Sequence, residues 1–196
     1  MKNETTKEKR IRQTILLLSI FAVIAAFVYR NEKIENLSGE QMKAVVIRRS
    51  ESMTDNPVIA MYRSLEERDY IVLYQIVRQD KNHFKSVAVT EINGIPERLL
   101  ADQSTDGVWI KLGEKWVYYN EMLIEEKRKT EHIDLLSDQT YPFSTDGKNV
   151  KITVNNQAIT FNIQKDDQLE YIFPLSKDGK LLLAVFKDDV RVVVHE

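Results

Sequence analysis

Adjacent carboxylates occur at Glu66-Glu67, Glu125-Glu126, Asp166-Asp167 and Asp188-Asp189. A general acid/base pair needs two carboxyl groups facing each other across a site. Sequence neighbours point to opposite faces of a strand and do not meet on a helix. These pairs therefore read as solvated faces and turns, with Asp166-Asp167 and Asp188-Asp189 as turn residues. The histidines are His83, His132 and His195, and none stands at metal-ligand spacing with another histidine or carboxylate. His83, in Lys81-Asn82-His83, reads as part of a turn. The chain has no cysteine, which excludes thiol nucleophiles, Cys-ligated zinc and iron–sulfur clusters. It also lacks Gly-x-Ser-x-Gly, a phosphate-cradling glycine loop and His-Glu-x-x-His. No catalytic residue, cofactor site or metal site is expected, and the protein reads as a non-enzyme.

The densest unusual group is aromatic: Trp109, Trp116, Tyr118 and Tyr119. Such residues are enriched at interfaces, and these four form a candidate interaction surface. Alternation puts Trp116 and Tyr118 on one strand face and Val117 and Tyr119 on the other, so part of the group belongs to a core.

The elements that position these residues are mostly strands. From Tyr70 the apolar period is two, with β-branched and aromatic residues over Tyr70–Val77 and Phe84–Ile92. Val108–Leu112 and Lys115–Tyr119 read as a hairpin, and so do Val150–Val154 and Gln157–Ile163 around Asn155-Asn156. Leu169–Pro174, Leu181–Phe186 and Val190–Val194 complete a meander, with turns at Asp178-Gly179 and Asp188-Asp189. Residues 31–69 read instead as helical. Ser38 and Gln41 fit a capping box. Asn56-Pro57 fits a helix start, and Val58, Met61, Tyr62 and Leu65 fall at i, i+3, i+4, i+7. Residues 121–137, with a mixed charge run, stay open between helix, strand and loop.

An uncharged apolar run extends from Thr14 to Tyr29, between Arg12 and Arg30. Its 16 residues would rise about 24 Å as a helix, slightly short of a hydrocarbon core of about 30 Å. It reads as an uncleaved, passive single-pass signal-anchor. Ala22 and Ala26 stand at the spacing that lets two helices pair as a weak homodimer. Lys2, Lys7, Lys9, Arg10 and Arg12 precede the run, so the tail is expected in the cytoplasm and the C-terminal bulk outside it. The expected division is a cytoplasmic tail (1–13), a transmembrane anchor (14–29), a juxtamembrane helical segment (30–50) and an extracytoplasmic β-rich domain (51–196). The expected fold class is α+β: a transmembrane helix, then one or two helices packed on a mainly antiparallel, curved β-sheet.

A hydrophobic fraction of 43% with 30% charged residues describes a folded domain. Net charge is −2, and the five basic residues of the tail leave the remainder more acidic still, which argues against nucleic-acid binding. The functional expectation is a module of a bacterial cell envelope that binds a protein partner there, for interaction, sensing or regulation. The alternative is a membrane-tethered carrier of a lipid or hydrophobic ligand, in a half-barrel cavity lined by Trp109, Ile110, Tyr118, Phe161 and Phe173.

Overall fold

The computed structural model describes residues 14–25, 43–51, 55–78, 82–102, 104–136, 140–164 and 166–195. The chain divides into two compact units, Met1–Asn36 and Leu37–Glu196. In the first, residues 14–25 are helical with exposed side chains. Among the described residues no helix is long and apolar enough to cross a membrane. This corrects the expected transmembrane signal-anchor, and with it the single-pass membrane localisation and its orientation. The tail, residues 26–29 with Ala26, and the Ser38–Gln41 capping box lie outside the described residues.

Among the described residues, the second unit holds four antiparallel sheets. The first holds β1 (Lys43–Arg48), β2 (Val58–Leu65), β3 (Arg68–Arg78) and β4 (Asn82–Ile92), in that order. The second holds β5 (Arg98–Asp102), β6 (Gly107–Leu112), β7 (Lys115–Tyr119) and β8 (Glu125–Glu126), also in chain order. In the third, β10 (Asn149–Val154) lies between β9 (Phe143–Thr145) and β11 (Gln157–Asn162). In the fourth, β13 (Leu181–Phe186) lies between β12 (Leu169–Pro174) and β14 (Val190–Val194). A short 3-10 helix, Thr130–Leu135, separates β8 from β9.

The α+β expectation is therefore corrected to a nearly all-β fold. Among the described residues of 31–69 there is no helix; Lys43–Arg48, Val58–Leu65 and the start of β3 are strands joined by turn and irregular segments. Val58–Leu65 pairs with β1 on one side and β3 on the other. Its residues Val58 through Arg63 are all buried, so neither face sees water. A strand buried on both faces is a continuous apolar run, and such a run also contains the i, i+3, i+4, i+7 subset of a helix. Pro57 starts no helix, since its carbonyl accepts a ladder-type hydrogen bond from Ile76 N at 2.9 Å. Within the open stretch 121–137, the described residues 121–136 hold a tight turn, the two-residue strand β8 and the 3-10 helix.

Packing joins the sheets through two cores. Val45, Ala60, Tyr62, Ile71 and Leu73 of the first sheet meet Leu99, Val108, Ile110 and Tyr119 of the second. Val150, Ile152 and Ile159 of the third meet Ile172 and Leu182 of the fourth. The remaining faces of the first and fourth sheets are also buried, at Ile59, Met61, Val72 and Tyr74 and at Leu183 and Val185. A parallel bridge, Ser50 to Ser176, ties these two sheets together.

Candidate binding groove

The aromatic residues singled out in the sequence stand on β6 and β7, where cross-strand pairing sets Trp109 opposite Tyr118. Trp109, Tyr118 and Tyr119 are buried, and Trp116 is half-buried. Tyr119 faces the core against the first sheet. Trp109, Trp116 and Tyr118 face the other way, onto Leu100, Ile133 and Leu136. There the rings of Trp109 and Tyr118 meet edge-on at 5.1 Å, and Arg128 lies 3.9 Å from the Tyr118 ring centroid. Tyr118 Oη shares a 2.7 Å hydrogen bond with Thr105 Oγ1. Gly107 belongs to the same packing, because a side chain there would run into the Tyr118 ring. These residues hold the second sheet between its two coverings.

The carboxylate pairs do not converge. Glu66 and Glu67 form the β2–β3 turn. Asp167 takes both terminal nitrogens of Arg191, at 2.6 and 2.9 Å, and Asp189 accepts from Arg191 Nε at 2.6 Å. Those contacts, the Arg191 bonds foremost, hold the Asp167 carboxyl below the usual carboxylate range. His83 stands on β4, exposed, instead of in a turn. Among the described residues no three His, Asp or Glu side chains gather where a metal ion could sit.

The feature that does converge is a groove of about 290 Å³ where β1, β5 and β12 meet. Each of these is the terminal strand of its own sheet. From β1 come Lys43, Ala44, Val45 and Val46, followed by Arg49; from Glu97 and β5 the lining runs without a gap to Ala101. The third wall is Glu170, Tyr171, Phe173 and Pro174, with Thr140 and Lys187 beside it. Successive side chains of a strand point to opposite faces, so a groove on one sheet face touches every second residue. Here consecutive residues of β1 and of β5 line it, so the groove is bounded by strand edges. β1 and β12 run in the same direction and are joined at one end, where Ser50 N donates to Leu175 O at 2.8 Å and Lys177 N to Ser50 O at 3.1 Å. Beyond that bridge Tyr141 N donates to Ile172 O of β12 at 2.8 Å, and the groove lies beside this contact among β1, β5 and β12.

The floor is apolar and the rim is charged. Four basic side chains, Lys43, Arg49, Arg98 and Lys187, stand against two acidic ones, Glu97 and Glu170. Lys43 Nζ donates to the Pro96 and Glu97 carbonyls, which fastens the start of β1 to the start of β5. Glu97 pairs with Lys111 at 2.7 Å. Burial lowers the pKa of the Arg49 guanidinium from its ordinary value, partly offset by Tyr141.

Of the five residues assigned from sequence to a half-barrel cavity, Phe173 alone lines this groove. The groove residues carry no local motif, since they come from five separated stretches of chain. The one sequence signal is Pro174, because proline inside a strand marks an edge strand. The chain matches no known protein-family model, and no curated protein is similar to it.

Proposed function

We propose that this β-rich unit is a non-catalytic binding module whose groove between β1, β5 and β12 receives an extended segment of a protein partner, apolar with acidic side chains. The observation that carries this reading is the lining of the groove by consecutive residues of edge strands. The main chain along strand edges is a recognition surface for extended chains. Charge supports the same partner: the whole chain is −2, yet the described lining of the groove holds four basic side chains against two acidic.

A photocrosslinking amino acid tests this at two exposed positions in the native cells. Tyr171 lies on the groove, and Ile124, in the turn after β7, does not line it. The expected result is one protein captured from Tyr171 and not from Ile124. Its crosslinked peptide should be acidic and apolar, and the purified partner should bind the Lys187→Glu variant several-fold more weakly. Equal capture from both positions, or none from Tyr171, overturns the proposal.

A further inference from the structure

We infer that the outer edge of β11 is a contact between two copies of this chain, joining their third sheets across a two-fold axis at Thr160. It stands apart from the groove, which β11 does not line. A strand at the end of a sheet invites pairing with another chain, and folds blunt such ends with charge, proline, bulges or short length. The other terminal strands each carry one of these devices. β1, β4 and β12 pair with register shifts, and β12 also holds Pro174. β5 holds Arg98 and Asp102, β14 holds Arg191, and β8 and β9 are two and three residues long. β11 carries none of them. From Gln157 to Gln164 the chain has no charge, proline or glycine, and the ladder with β10 runs without a shift. Ala158, Thr160 and Asn162 are exposed, and among the described residues β11 pairs with β10 alone.

The ladder fixes which main-chain groups face outward. Ile163 N donates to Lys148 O at 2.8 Å, and the two-residue turn Asn155-Asn156 closes on Val154 and Gln157. Hydrogen-bonded pairs alternate along an antiparallel ladder, so Gln157, Ile159, Phe161 and Ile163 turn their N–H and C=O groups to β10. Those of Ala158, Thr160 and Asn162 turn outward. A second β11, antiparallel about an axis at Thr160, matches this pattern. Thr160 then stands opposite Thr160 of the second copy, and Ala158 opposite its Asn162, giving about six main-chain hydrogen bonds. The side chains match as well. Ile159 meets Phe161 on the core face, an aromatic–β-branched pair, and the two Thr160 side chains meet on the outer face. Phe161 and Ile163, half-buried at the margin of the core between the third and fourth sheets, gain cover from the second copy. Such an isologous contact closes with two copies.

The chain has no cysteine, so single cysteines report the contact. Opposed hydrogen-bonded residues stand about 5.5 Å apart at Cα, within the roughly 4.4–6.8 Å that a disulfide spans. In the full chain, Thr160→Cys should oxidise to a linked dimer at least fivefold faster than Val87→Cys, at an exposed position on β4. Analytical ultracentrifugation should show the parent passing from monomer to dimer as its concentration rises. Thr160→Lys sets two like charges face to face, and this variant should stay monomeric at the same concentrations with an unchanged circular dichroism spectrum. Should Thr160→Lys lose the fold, the two cysteine variants decide by themselves. A parent that stays monomeric, a dimer that survives Thr160→Lys, or equal oxidation of the two cysteine variants overturns the inference.

Discussion

Asp146 shows how much a single exposed side chain can organise. Its Oδ1 accepts from Lys148 N at 3.0 Å and Asn149 N at 2.7 Å, and its Oδ2 from Asn149 Nδ2 at 3.0 Å. The Asn149 side chain contributes most, and together these bonds lower the carboxyl from 3.8 to about 2. Hydrogen bonds to the charged form are the cause, as expected for a carboxylate closing an Asx-type turn before β10. The sign follows from linkage. A depressed folded-state pKa stabilises the fold fully above the unfolded value, and the contribution is lost as pH falls from about 4 through about 2. Carboxyl-carbon NMR should place the Asp146 midpoint near 2, and Asn149→Ala should raise it towards 3.8. A midpoint near 3.8 in the parent protein would contradict the turn geometry. The signal for this turn is local, since Asp146-Gly147 is a turn dipeptide and the partners lie two and three residues on.

Hairpins show where local sequence is sufficient. Asn155 and Asn156 take φ of 49° and 65°, the paired left-handed conformation of a two-residue hairpin turn, as the Asn pair predicts. Glu66 and Glu67 take the same conformation, φ 52° and 64°, between Leu65 and Arg68. Glutamate carries no turn signal, and with Val58, Met61 and Leu65 before it the segment reads as a helix. The sheet imposes the turn there: β2 and β3 pair over eight positions, and that ladder outweighs the local preference. Non-glycine residues in the left-handed region cost roughly 1–2 kcal/mol each. Replacing the pair by Asn-Gly, as Glu66→Asn with Glu67→Gly, should therefore stabilise the protein by about 1 kcal/mol in urea denaturation. Unchanged or lower stability would mean that Glu66 and Glu67 hold the turn by contacts of their own. The strands β7, β12, β13 and β14 are legible from Lys115, Leu169, Leu181 and Val190 onward because turn residues bracket short β-branched or aromatic runs. β5 is missed because Arg98–Asp102 is short and follows Pro96 closely.

The buried apolar residues of the described chain run from Ala44 to Val190, whereas the side chains of Ile15 through Ile24 are exposed. A unit with its own core should fold without the segment before it. A fragment of residues 37–196 should therefore melt within a few degrees of the full chain by circular dichroism. A loss of cooperative melting would make the N-terminal unit part of the fold. The groove belongs to this scale as well, because its walls are three strands separated in sequence by as much as the distance from Lys43 to Lys187.

By itself the sequence determined the β-hairpins with asparagine or glycine at their turns, the absence of thiol chemistry and the acidic balance. Each of these depends on residue type or on neighbours a few positions apart. Tertiary structure decided that Lys43–Arg48 and Val58–Leu65 are strands, because burial on both faces removes the polar alternation that would have revealed them. It also decided that the tryptophans and tyrosines of β6 and β7 pack the molecule. The groove in turn exists only because the terminal strands of three sheets meet at one place. Where a sheet ends is set by which strands find partners, and that depends on contacts across the whole chain.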